Sequence, residues 1–190
     1  MTPTLVTALT GFFVYSAFGG IPASSVLQAT STESTVAPTY ESYTVTMTAY
    51  NAVPEQTDDS PEFTAIGAYT NPDIIAARSR DLADELPYGT VIAVMPATTT
   101  PNCGYKYVAD KIGLRVIGDA MHARMRNKID LLMDDEPIKA QGGLKRNPAK
   151  AFGFCRDVQI VVVGKVDPKH IPQTQVELAA AVGLAKLALK

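Results

Sequence analysis

The chain of 190 residues has no tryptophan and only two histidines and two cysteines. Without tryptophan, the common stacking platform for a sugar ring is missing, which favours hydrogen bonding and tyrosine stacking. His122 and His170 stand apart from the cysteines, and no Cys/His set has metal-ligand spacing, so no metal site is expected. His122 reads as a surface residue rather than as the base of a Ser-His-Asp triad. No GxGxxG or P-loop pattern occurs, so neither a dinucleotide nor a nucleotide phosphate finds its usual cradle, and no cofactor is expected. No lysine or arginine run stands out and the net charge is -2, which removes the clustered basic face that nucleic-acid binding needs.

Charge is also missing from the N-terminus. Met1 to Thr32 carries no charged side chain, and Glu33 is the first. Leu5 to Phe18 is mostly apolar and small residues follow, the pattern of a secretory signal over residues 1–29. An uncleaved anchor or a buried helix would share the pattern, so membrane contact is expected only there. Residues 30–42, rich in Thr, Ser and Pro, read as a linker. Export would place Cys103 and Cys155 where a disulfide can form; two free thiols are the alternative.

Hydrophobic residues make up 46% of the chain, enough for a core. Residues 43–166 read as a folded domain of short strands. Tyr43, Val45, Met47 and Ala49 alternate with threonines, the period of a half-buried strand. Thr90–Met95, Tyr105–Ala109, Leu114–Ile117, Ile129–Met133 and Asp157–Val163 are further strand candidates. Asp81–Leu86 reads as one helical turn stopped by Pro87. Short strands with frequent Gly and Pro predict a barrel or sandwich. In the tail, residues 167–190, Thr174 and Glu177 match a capping box ahead of a largely apolar helix. That helix is expected to lie on the barrel as a flap; a partner-binding helix is the other reading.

Acidic residues are the remaining source of chemistry. Asp130 interrupts the apolar run Ile129, Leu131, Leu132, Met133, so its side chain has to leave the core or be paired. Asp119 follows Leu114–Ile117 and Gly118. Either can be a backbone-capping turn residue. Either can also be a carboxyl group whose pKa is raised by burial and a neighbouring carboxylate, as a general acid requires.

Longer segments carry a resemblance. Met47-Thr48-Ala49-Tyr50-Asn51, Gln56-Thr57-Asp58, Pro61 and Thr64-Ala65-Ile66-Gly67 resemble the TAYN…QTD…P…TA-x-G opening of bacterial 3D-domain proteins. Leu86-Pro87-Tyr88-Gly89-Thr90 is similar to their LPYGT turn. Asp119-Ala120-Met121 with Arg124, Asn127, Ile129 and Asp130 resembles their D-x-M…R…N-x-(I/V)-D block, and Phe152-Gly153 with Arg156 and Val158 their closing strand. At the place of the family's first aspartate this chain has Ser79; Asp58 or Asp81 could compensate for the missing charge. The resemblance implies a mainly β fold, a six-stranded double-psi β-barrel with short helices and the C-terminal helix, as in membrane-bound lytic transglycosylases and stationary-phase muralytic enzymes. It implies cleavage of peptidoglycan glycan strands in the cell envelope, with Asp130 as acid and then base, Asp119 in support, and a 1,6-anhydro product. Tyr50, Thr64, Asp58 and Tyr88 are the expected substrate contacts, with Tyr69 a further stacking candidate. A non-catalytic wall-binding module and a hydrolase of another β-1,4-linked glycan remain as alternatives.

Overall fold

A computed structural model describes residues 39–57, 60–95 and 103–184. All of them fall in one compact unit, Pro38–Lys190. The expected signal segment, most of the linker and Asp58 lie outside the described residues.

Among the described residues eight strands run in chain order: β1 (Ser42–Tyr50), β2 (Ile75–Arg78), β3 (Thr90–Val94), β4 (Leu114–Ala120), β5 (Lys128–Leu132), β6 (Ile138–Lys139), β7 (Lys145–Arg146) and β8 (Cys155–Lys165). Six of them close into a barrel in the order β1-β5-β2-β4-β3-β8, and β6 and β7 form a separate two-stranded ribbon. The β1·β5 and β2·β4 pairs are parallel and the other barrel pairs antiparallel, a mixture compatible with a double-psi barrel.

Period-two alternation separates two apolar layers. Val45, Met47, Ala76, Ile117, Ile129 and Leu131 belong to one buried cluster, which helices α1 (Tyr105–Ile112) and α2 (Pro148–Phe152) join through Val108, Ile112 and Phe152. A second cluster gathers residues of the opposite parity, among them Ile75, Val91, Val116 and Leu132, and helix α3 (Gln175–Ala181) closes it with the fully buried Leu178. Each such aliphatic side chain contributes about 1.5–3 kcal/mol by leaving water. Thr174 and Glu177 form the expected capping box. The Gln175 side chain accepts from the Leu114 N–H and donates to the Leu114 carbonyl, both at 2.9 Å, which docks α3 on the first residue of β4. The tail helix is thus a cover on the barrel rather than a free arm; Val176 alone of its large apolar residues points out, at 78% exposure.

Three local expectations need correction. Tyr105–Ala109 belongs to α1, not to a strand. The Tyr-Lys-Tyr alternation mimics a strand, but Val108 and Ile112 are the buried residues, a spacing of one helical turn. Phe152 and Gly153 end α2 before the last strand, which starts at Cys155. The strand Ile75–Arg78 was not expected at all: its residues are buried throughout, so no alternation betrays it. Cys103 and Cys155 are disulfide-bonded and close a separation of 52 residues, which on the chain-entropy view stabilises the fold by up to about 4 kcal/mol.

Candidate functional site

The site grows out of sheet register. Thr48 pairs with Asp130, Asp130 with Ala77, and Ala77 with Asp119. These residues therefore form one row across four neighbouring strands, β1, β5, β2 and β4. Paired residues point to the same face, and this row points away from the cluster that holds Met47, Ile129 and Leu131. The two aspartates are separated by the width of β2, so their Cα atoms lie ~10 Å apart, two strand spacings.

Asp119 reaches the row through an irregularity. Ala76 pairs with Ile117 but Ala77 pairs with Asp119, so Gly118 is an extra residue in β4. Without the bulge, Asp119 would share the parity of Ile117 and face the inner cluster. A bulge re-aims the following side chain. Glycine suits the position because a Cβ there would meet the Ile75 side chain at 2.9 Å.

Both carboxyl groups line a cleft of about 660 Å³, with Ala77 between them on its floor. Their surroundings differ. Asp119 accepts three hydrogen bonds: the Tyr50 hydroxyl donates to Oδ2 at 2.8 Å, and the Ala65 and Ala120 N–H groups donate to Oδ1 at 2.9 and 2.8 Å. Asp130 accepts one hydrogen bond, from Thr48 Oγ1 at 2.7 Å. Burial pushes the Asp130 carboxyl up to about 6; the Thr48 hydroxyl and the Lys128 ammonium hold it down, and the Asp119 charge adds to the rise. The Asp119 carboxyl is thus held by three donors, while Asp130 is poised to gain or lose a proton near neutrality.

The expected substrate contacts divide. Tyr50 lines the cleft, but its ring is 7% exposed and its hydroxyl is committed to Asp119. Burial, followed by the Asp119 charge, raises its pKa, so it stays a donor. It orients a carboxylate rather than offering a stacking face. Thr64 also lines the cleft, and its hydroxyl accepts from the Ala68 N–H at 3.2 Å, which shapes the turn that carries Ala65 to Asp119. Tyr88 is not part of the cleft: the Arg78 guanidinium stacks on it at 4.8 Å and it packs on the inner cluster. Ser79 is fully buried; its hydroxyl accepts from the Lys128 N–H at 3.0 Å and also hydrogen-bonds Asp81. Asp81 in turn accepts from the Asn127 N–H at 2.9 Å, so it ties the turn before β5 and adds no carboxylate to the cleft. Asn127 has φ 48, a left-handed conformation that Asn tolerates better than most residues.

Sequence reading missed several cleft residues. His122 is exposed as expected, yet it lines the cleft with Arg80 and Arg124. Phe63, 44% exposed, forms part of the wall and carried no sequence signal. A buried cation beneath the site was also unforeseen. The Arg115 guanidinium donates to the carbonyls of Ile112, Pro72, Ile75, Leu132 and Lys111, stitching α1, β2, β4 and β5 together. Burial lowers its pKa to about 10, still high enough for it to carry its charge at neutral pH.

A smaller cavity of about 380 Å³ beside the disulfide is lined by Lys106, Tyr107, Arg146 and Phe154, among others, and holds no carboxylate. Among the described residues no three of His, Cys, Asp and Glu converge closely enough for a metal ion, and no helix is long and apolar enough to cross a membrane. Compared with known proteins, the chain matches no family model and no curated sequence.

Proposed function

We propose that the protein cleaves glycan strands of peptidoglycan by acid–base catalysis at Asp130. The observation that carries this reading is the asymmetric pair on one cleft floor: Asp130 with its pKa near 6, beside an Asp119 held by three donors. A carboxylic acid protonated near neutral pH can donate to a glycosidic oxygen. In the proposed reaction Asp130 gives its proton to the oxygen joining N-acetylmuramic acid to N-acetylglucosamine as the anomeric C–O bond breaks. The glucosamine unit leaves with a free 4-hydroxyl. The Asp130 carboxylate then takes the proton of the muramic 6-hydroxyl, whose oxygen bonds to the anomeric carbon and closes the 1,6-anhydro ring. Asp119, oriented by its three donors, supports developing positive charge on the sugar ring. The 3D-domain resemblance supports the substrate class, and the Cys103–Cys155 bridge is compatible with the proposed location in the cell envelope or outside it.

The test is digestion of purified sacculi followed by mass spectrometry. Anhydro-ended muropeptides from the wild type, and none from Asp130→Asn, are the expected result. Reducing ends would replace the transglycosylase by a hydrolase. Co-sedimentation with sacculi without release of any fragment would make the barrel a wall-binding module.

A further inference from the structure

The loop that leaves β1 does more than close the cleft. Residues 62–70 form a small hairpin: Thr70 N–H donates to Glu62 O at 3.0 Å, Thr64 N–H to Ala68 O at 2.8 Å, and Phe63 bridges Tyr69. The hairpin is joined to the acid pair by the Ala65 N–H bond to Asp119. Its two rings are among the few large apolar groups left open to solvent: Phe63 is 44% exposed and Tyr69 72%. They lie 5.0 Å apart, tilted by 35°. Phe63 belongs to the cleft wall, whereas Tyr69 stands behind it and outside the lining. Neither ring belongs to a buried cluster, so core packing does not account for them.

We infer that Phe63, propped by Tyr69, is the stacking platform of a sugar subsite next to Asp119 and Asp130, whose occupant is one pyranose ring of a β-1,4-linked N-acetylhexosamine strand. A β-linked pyranose of gluco configuration, such as N-acetylglucosamine, has all-equatorial substituents, so its axial C–H groups form a flat apolar face while hydroxyls and the acetamido group ring the edge. Such a ligand calls for one aromatic face with hydrogen-bonding groups around it. The same cleft supplies Glu55, Gln56, Thr57 and Thr70 beside Phe63. Its volume, about 660 Å³, is within the range that encloses small organic ligands and leaves room for more than the ring being cleaved. In a chain without tryptophan, Phe63 takes the part that a tryptophan plays elsewhere. Because Ala65 ties the hairpin to Asp119, a sugar on Phe63 is positioned from the same backbone that orients the carboxylate.

This inference rests on the glycan-cleaving reading, and the experiment separates the two. Phe63→Trp installs the chain's single tryptophan in the full-length protein, so emission reports directly on the platform. Chitotetraose is the probe and maltotetraose the control. Tryptophan emission should shift with chitotetraose and not with maltotetraose. By calorimetry, Phe63→Ala and Phe63→Leu should bind chitotetraose roughly five- to tenfold more weakly than wild type, whereas Phe63→Tyr keeps wild-type affinity. In sacculus digestion Phe63→Ala should raise KM and leave kcat within about twofold. Equal binding by Phe63→Ala and wild type, with digestion intact, would overturn the platform alone. A wild type that neither binds chitotetraose nor acts on sacculi would overturn the platform and the proposed function together.

Discussion

Replacing Asp130 by Asn should do two opposite things: abolish cleavage and stabilise the fold above pH 6. The native pKa of about 6 lies above the ordinary value of 3.8, mainly because burial penalises the charged form. The folded state therefore holds a proton that the unfolded chain gives up between about pH 4 and 6. Stability falls as pH rises through that window, and above it the full penalty is in force. A rise from 3.8 to about 6, at 1.36 kcal/mol per pH decade, sets a ceiling of about 3 kcal/mol. Water reaches the cleft, so about 1–2 kcal/mol is the expected yield. The neutral amide carries no such penalty, and its oxygen still accepts from Thr48. For a domain of this size the gain corresponds to a melting temperature higher by roughly 2–8 °C at pH 8 and by almost nothing at pH 4. Differential scanning calorimetry of both proteins at the two pH values measures it. A variant that melts no higher than wild type at pH 8, or whose advantage is equal at pH 4, would refute the claim that Asp130 carries a charge against its surroundings.

Two further outcomes follow from hydrogen bonds and backbone strain. Thr48→Val removes the donor that holds the Asp130 pKa down, so the alkaline limb of the pH–rate profile on sacculi should move up; a limb that stays or moves down would dissociate that limb from Asp130. At position 127, where φ is 48, Asn→Ala should be less stable than Asn→Gly by about 1 kcal/mol in urea denaturation, the reverse of the usual order of these two residues; equal stabilities would mean that the turn relaxes at no cost.

What the sequence disclosed depended on how many neighbours each residue's meaning required. The alternation in Tyr43–Ala49 and the β-branched run in Asp157–Val163 are local signals, and those strands are where they were expected, as β1 and β8. The barrel has six strands, the number of strand candidates in the sequence, but by two compensating errors. Tyr105–Ala109 was counted and is helical, whereas Ile75–Arg78 was not and is the strand between the two acids. Ala76 and Ala77 have weak strand preference, and burial on both faces erases the two-residue period. Asp119 is the sharper case. Simple alternation along Leu114–Ala120 puts it in phase with Ile117 and therefore inward; only the bulge at Gly118 turns it out. The pairing of Asp119 with Asp130 in one cleft came from resemblance, since no periodicity encodes it. Tyr50, expected as a substrate contact, lines the cleft but commits its hydroxyl to Asp119, a partner 69 positions away that no local pattern reveals. Phe63 was passed over because its setting exists only once the hairpin folds.

The row Asp130–Ala77–Asp119 makes β2 a ruler. The gap between the carboxyl groups is graduated by the hydrogen-bond spacing of the sheet and not by any side chain, so substitutions elsewhere can retune either acid without altering the distance between them. The ruler has one weak mark. Ala77 is the sole residue between the acids in that row, and each added methyl at position 77 raises the floor between them. Under the proposed glycan cleavage, a β-branched side chain there would fill the space between the two carboxyl groups without removing either of them or any of their donors. The spacing of the two acids thus leans on an alanine, a residue with no chemistry of its own.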